Sequence, residues 1–230
     1  MSWVDVDRPG VRTVVVGNVS RWDEQAVQVL DVLAATGREL TGAVRVVVLV
    51  LDGSITTGAR STTESVRSGL VDLSEAECDA VLAGYQDAVA WLRRADTVSV
   101  AAARGPLSGP AVDLALSCDL RVFAHDVSVT LGGPPLLGVT DRLVALIGSG
   151  RAAELALTGR PVTAAEAERL GLATRVVPGS DLRAATDDLV AGLLATDRAV
   201  LAETKALFAA PGAAAERGSF ARRARGLDPG

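Results

Sequence analysis

The stretch Asp96–Pro178, DTVSVAAARGPLSGPAVDLALSCDLRVFAHDVSVTLGGPPLLGVTDRLVALIGSGRAAELALTGRPVTAAEAERLGLATRVVP, decides the fold. Thr97 to Ala103 is a short apolar run that reads as a strand, and a Gly/Pro break follows it at Gly105-Pro106. Pro110 to Ser117 then reads as a helix, because proline suits the first helical position, and it carries a single acid, Asp113. Leu120 to Ala124 reads as a second strand. Thr163-Ala-Ala-Glu166 has the spacing of a capping box, and Gly171 closes the helix that it opens.

Working outward, Val44 to Leu51 (AVRVVVLVL with its preceding Ala43) is a β-branched run of the kind buried on both faces of a sheet, and Asp52-Gly53 ends it with turn chemistry. Val11 to Val16 reads as a strand. Trp22 to Leu40 places Ala26, Val29, Leu30 and Leu33 at helical spacing. Capping-box spacing recurs at Ser61-Thr-Thr-Glu64 and Ser74-Glu-Ala-Glu77. The second of these helices is expected to run to about Arg94, burying Val81, Leu82, Tyr85, Val89 and Leu92. Ser180 onward reads as helical to about Phe208, as one helix from Ser180 to Leu193 and another around Val200 to Phe208, and after Pro211 the chain turns polar and Arg-rich, as a tail that is disordered or docks on a neighbour. Strands alternating with helices predict an α/β fold of stacked ββα units around a mixed, mostly parallel sheet, with a C-terminal helical region.

Composition removes several classes of function. The chain has 230 residues, which suits one domain, and 49% of them are hydrophobic. A net charge of -5 gives no electrostatic reason to bind nucleic acid or an anionic membrane. Lys205 is the only lysine; the other basic residues are arginines. Cys78 and Cys118 lack metal-ligand spacing and read as buried free thiols, and the lone His125 reads as a turn residue, so no metal site is expected. Gly17-Asn18 and Gly148-Ser149-Gly150 read as turns, because neither has the spacing of a phosphate loop. The first residues, MSWVDVDRPG, contain acids and no apolar core segment, and no uncharged run approaches the length of a bilayer span. A cytoplasmic, reducing setting is expected.

Three phrases carry more than secondary structure: Ile55-Thr56-Thr57-Gly58-Ala59-Arg60; Gly105-Pro-Leu-Ser-Gly109-Pro110-Ala111-Val112-Asp113-Leu-Ala-Leu-Ser-Cys118-Asp119; and Leu157-Thr158-Gly159 followed by Glu166-Ala167 and Gly171-Leu172. Through them the chain resembles the crotonase (enoyl-CoA hydratase/isomerase) superfamily, whose members activate acyl-thioesters. The resemblance runs from about Val44 to Val177. It implies the ClpP/crotonase arrangement, with a core at 1–178, a helical oligomerisation region at 179–210 and a polar tail at 211–230. It also implies no cofactor beyond an acyl-CoA ligand or substrate, and a homotrimer or hexamer.

In such proteins two backbone N–H groups hold the developing enolate oxygen and nearby carboxylates move a proton or a water. The resemblance assigns one N–H to Ala59, after Gly58, with Arg60 standing where an acid is usual. The other donor falls on Pro110, which has no N–H, a loss on the order of 3 kcal/mol of transition-state stabilisation unless Ala111 donates instead. Gly58, Gly109, Pro110 and Arg60 are thereby candidate substrate-binding positions. Asp113 stands where a catalytic glutamate is common, one methylene shorter, and is the candidate base. An acid favoured by the helix macrodipole accounts for it equally. The phrase that carries a second glutamate reads Gly132-Gly133-Pro134-Pro135-Leu136-Leu137-Gly138 and has no acid; Asp141 is merely near in sequence. The usual nucleotide-binding phrase is replaced by Val16–Trp22, where Arg21 is a candidate phosphate contact beside Arg60.

This pattern of loss is similar to an auxiliary branch of the superfamily that works beside a type III polyketide synthase in forming dihydroxyphenylacetyl-CoA for antibiotic biosynthesis. It implies a polyketide thioester as ligand and a polyketide synthase or sister crotonase as partner. Two alternatives stand beside it: a free-standing enoyl-CoA hydratase or isomerase using Asp113 alone, and a non-catalytic structural partner of an active crotonase or synthase.

Overall fold

Two apolar strands organise the chain. In a computed structural model, which describes residues 8–16, 19, 24–53 and 70–225, Val46–Asp52 (β2) and Val98–Arg104 (β3) run parallel, with Val46 paired to Val98 and Asp52 to Arg104. Val46 through Leu51 are each no more than 2% exposed, as the unbroken β-branched run requires of a strand covered on both faces. Val11–Val16 (β1), Leu120–Ala124 (β5) and Arg175–Val177 (β8) complete a five-stranded sheet in the order β1-β2-β3-β5-β8, every pair parallel.

A second, three-stranded sheet holds Pro106–Ser108 (β4), Ser128–Thr130 (β6) and Pro161–Thr163 (β7), with β4 and β6 parallel and β6 and β7 antiparallel. The expected ββα repeat is visible in this pairing. β3 and β4 lead into helix Pro110–Ser117, and β5 and β6 lead toward helix Thr140–Ile147. Each unit places one strand in each sheet, one position over from the last. Gly105 makes the turn between sheets at φ +69, a value that disfavours any residue with a Cβ.

The helices follow their sequence signals with informative exceptions. Glu24–Glu39 (α1) packs against Glu75–Ala90 (α2), whose Ser74 and Glu77 form the reciprocal capping box. A 3-10 turn at Trp91–Arg93 ends that segment, close to the expected boundary at Arg94. The box expected at Ser61–Glu64 lies outside the described residues. Next come Pro110–Ser117 (α3), Thr140–Ile147 (α4), Ser149–Thr158 (α5) and Ala164–Leu170 (α6). Thr163 caps α6 by accepting from the Glu166 amide, but the Glu166 carboxylate turns to Arg160, so only half of that box forms. Gly171 closes α6 in the left-handed region, as read.

The two helices expected after Ser180 are Leu182–Ala195 (α7) and Arg198–Ala209 (α8), and Asp197 caps the second start by accepting from the Val200 amide. The tail departs from expectation. Residues Ala213–Ala224 form a further helix, α9, since alanine and arginine are strong helix formers whatever their charge. Ser219 on α9 donates to the Glu203 carboxylate of α8 at 3.1 Å.

The lone lysine fastens this C-terminal region to the core. Lys205 Nζ donates to the carbonyls of Leu92 and Thr97 at 3.1 and 2.6 Å and pairs with Asp119 at 2.6 Å. Asp119 in turn accepts from the Ser99 amide and hydroxyl on β3 and meets Arg142 of α4 at 3.5 Å. Burial lowers the Lys205 pKa from its ordinary value, against the opposing pull of Asp119. Arg45 closes the other end by donating to the carbonyls of Leu194 and Thr196 at the end of α7. Among the described residues no helix is long and apolar enough to cross a membrane.

Gly53 marks the closest approach between the end of β2 and the second sheet, since a Cβ there would lie 1.8 Å from the Pro106 carbonyl oxygen. Gly53→Ala is therefore expected to cost about 1–3 kcal/mol, whereas Gly84→Ala, on open helix surface, should be neutral or stabilising by roughly 0.5–1 kcal/mol. Denaturant midpoints of the two variants check this; a Gly53→Ala protein as stable as the parent would refute the close approach.

Candidate functional site

The Gly/Pro break after β3 builds the site's floor. Gly109 takes φ +51, and its carbonyl accepts from the amides of Val112 and Asp113 at 3.0 and 3.1 Å, which starts α3 tightly. Pro110 occupies the first helical position and is buried, so the position assigned to an oxyanion donor offers no N–H. The substitute does not stand free either. The Ala111 amide donates to the Val19 carbonyl at 3.1 Å, so Ala111 could hold a substrate oxygen only by releasing Val19.

Asp113 is 4% exposed, one turn into a helix that is buried along its whole length. Its Oδ2 accepts from the amides of Leu136 and Leu137 at 2.7 and 3.2 Å. Among the described residues no hydrogen bond reaches Oδ1. Burial raises the carboxyl from 3.8 to about 6, with the two backbone hydrogen bonds pulling the other way. A carboxyl that titrates near neutrality can give and take a proton under physiological conditions.

The acid-free segment Gly132–Gly138 is the chain that Asp113 holds. Gln86 of α2 donates to the Leu136 carbonyl at 3.2 Å and Arg93 to the Gly138 carbonyl at 3.1 Å, so side chains fasten this loop at three points. Asp141 lies on the exposed first turn of α4. Gly58, Ala59, Arg60 and Arg21 lie outside the described residues. His125 is an exposed turn residue whose amide donates to the Val177 carbonyl. Cys118 is fully buried and its thiol is pushed up to about 12 by burial, which leaves it unreactive. No cluster of three or more His, Cys, Asp or Glu residues suited to a metal occurs among the described residues.

Sequence reading singled out Asp113 but missed its partners. Backbone amides carry no signature, and Gln86 and Arg93 are ordinary exposed helix-face residues in the sequence. Lys205 had one usable signal, being the only lysine in an arginine-rich chain.

The family model for enoyl-CoA hydratase/isomerase matches residues 44–225. An enoyl-CoA isomerase/hydratase of Mycosarcoma maydis is 29% identical over 229 residues, covering 97% of this chain and 79% of that protein. An assigned enoyl-CoA hydratase of Mycobacterium bovis is 42% identical over 91 residues, 37% of this chain and 35% of its own length, so that match spans about a third of the relative. Among solved structures, a Thermobifida fusca protein assigned as an enoyl-CoA hydratase superposes with a TM-score of 0.82 at 35% identity, over 96% of this chain and 92% of that one. The same relative has been solved with CoA and with acetoacetyl-CoA, each at a TM-score of 0.80.

Because Asp113 titrates near 6 when folded and near 3.8 when unfolded, the native protein keeps a proton between those values that the unfolded chain has given up. Stability attributable to this group therefore falls as pH rises from about 4 to about 6, by on the order of 2–3 kcal/mol, and is level above. Asp113→Asn keeps an acceptor oxygen and removes the ionisation. Subtracting its urea-denaturation profile from that of the parent, from pH 4.5 to 7.5, should reveal this step; parallel profiles would contradict it.

Proposed function

Because the chain belongs to the enoyl-CoA hydratase/isomerase family, we propose that it binds an acyl-CoA thioester and assists a partner enzyme instead of hydrating enoyl-CoA by itself. One observation carries this reading: the segment Gly132–Gly138 has no acid, and Asp113 Oδ2 is engaged with its backbone. Water addition across a double bond by a two-carboxylate mechanism needs one group to activate the water and another to handle the proton at carbon. With one carboxyl and one fewer oxyanion N–H at Pro110, the barrier stays several kcal/mol higher than in a complete site.

The finer form of the proposal is an auxiliary role beside a type III polyketide synthase. The ligand would be a polyketide thioester on the way to dihydroxyphenylacetyl-CoA, and the step its dehydration, aromatisation or release. In this reading the Ala59 N–H polarises the thioester carbonyl, with Ala111 adding a second donor only if Val19 lets go. Gly58, Gly109, Pro110 and Arg60 shape the thioester end, and Asp113 moves the proton through Oδ1. The synthase or a sister crotonase supplies the missing groups. The thioester class is supported by the Thermobifida fusca relative, solved with CoA and acetoacetyl-CoA. Assembly as a homotrimer or hexamer through α7, α8 and α9 belongs to the same proposal.

A free-standing enoyl-CoA isomerase is the second reading, and the near-neutral Asp113 favours it. Shifting a double bond moves one proton between two carbons, which a single carboxyl can do. Three assays separate the readings. The purified chain should hydrate crotonyl-CoA below about 1 s⁻¹, and adding it to a reconstituted type III synthase reaction should raise aromatic product several-fold. Hydration at or above that rate would overturn the auxiliary role. Isomerisation of a β,γ-enoyl-CoA that disappears in Asp113→Asn would select the second reading.

A further inference from the structure

We propose a second ligand site, between helices α8 and α9, that takes a small zwitterion with an apolar body, the chemical class of an aliphatic α-amino acid. It stands apart from Asp113 and does not depend on the thioester reading.

Helices α8 and α9 meet at Glu203 and Ser219 but do not close along their length. A cleft of about 740 Å³ lies between them and the Ala95–Asp96 turn. That volume falls within the roughly 300–1,000 Å³ of small-molecule sites. On α8 the lining recurs at helical spacing, with Ala199, Ala202 and Ala206 on the face that carries Glu203. On α9 it comes from Ala215 and Gly218, on the face that carries Ser219 and Arg222. Side chains this short leave open the space that longer ones would fill.

The buried acid of this cleft lacks a donor. Glu203 is only 6% exposed, and its Oε2 accepts from the Ser219 hydroxyl at 3.1 Å. Its Oε1 is buried too, yet among the described residues no hydrogen bond reaches it. Arg222 Nε stands 3.8 Å from Oε1 and Arg223 Nε 3.6 Å from Oε2, both beyond hydrogen-bond reach. A buried carboxylate oxygen without a donor is costly, and folded proteins rarely leave one so.

Arg222 has the complementary need. It is half-exposed, and its guanidinium makes no hydrogen bond to a described residue. An oxygen short of a donor and a guanidinium short of an acceptor thus line one cleft. A zwitterion answers both. Its ammonium donates to Glu203 Oε1, its carboxylate accepts from Arg222, and its apolar body lies along the alanines. A simple amine would set its charge against Arg222, and a simple acid would set its own against Glu203.

The other charged side chains of the cleft are already engaged. Asp96 accepts from Arg94 at 2.6 and 3.0 Å, and Arg198 donates to the Gly42 carbonyl. Phe208 and Phe220, the exposed aromatic side chains of the two helices, are not part of the lining, so the assembly proposed above has a surface of its own.

Titration calorimetry on the full chain tests the site, with L-leucine as probe and butylamine and isovalerate as its two halves. Leucine should bind saturably with a Kd of about 1 mM or tighter, and each half at least about tenfold more weakly. Glu203→Gln and Arg222→Ala should each weaken leucine binding about tenfold. Arg222 is half-exposed, so its variant decides the matter should Glu203→Gln fail to fold. No saturable heat from leucine, or parental affinity in the Arg222→Ala protein, would overturn the site. Butylamine binding as tightly as leucine would overturn the zwitterion. Sedimentation supplies the last check: self-association of the parent that Glu203→Gln or Arg222→Ala abolishes would give the cleft to a second copy of the chain and overturn the small ligand.

Discussion

A carboxylate buried in an apolar helix must find hydrogen-bond donors or give up its charge, and Asp113 does some of each. Two loop amides hold its Oδ2, and burial still lifts its pKa to about 6. The rest of the site is arranged around this compromise. The amides that satisfy the acid belong to Leu136 and Leu137, in the segment with no acid of its own, so this carboxyl also holds that loop in place. The price is a native state that stores an electrostatic penalty above pH 6.

The second such node, at Asp119, ties β3 and α4 to the C-terminal helices. Asp119 accepts from Ser99 on β3 and pairs with Arg142 on α4 and Lys205 on α8. Lys205 also donates to the carbonyls of two buried residues, Leu92 in the 3-10 turn and Thr97 just before β3, so its three donors are all engaged. Removing either charge would leave the other desolvated, and such losses outweigh those of surface pairs. The position of α8, and with it α9, is therefore coupled to the same helix, α3, that carries Asp113.

How much of this is legible in the sequence depends on the range of the interaction. Pro110–Ser117 and Leu120–Ala124 are readable to the residue, because a Gly-Pro start and a Cys-Asp stop are local chemistry. The long buried strands follow from period and composition, whereas β4 and β6, the second strand of each ββα unit, are three residues long and carry no such run, so the repeat rests on the family resemblance. The break between α7 and α8 is local too, since Asp197 caps a fresh helix start. Helix α9 is hidden by its charge, although its alanines favour it. Long-range partners are the part that sequence does not disclose. Ala111 looks like a free donor until Val19, 92 positions earlier, accepts its proton, and Asp113 looks like a poised base until amides 23 and 24 positions later occupy one oxygen.

If this crotonase-type scaffold grips a thioester while lacking most of the groups that process one, it should bind without turning over. Titration calorimetry with acetoacetyl-CoA, the ligand found in the Thermobifida fusca relative, reads binding without requiring turnover. Saturable heat at one site per chain, displaced by excess CoA, is expected. A flat titration, with the protein folded by circular dichroism, would contradict it.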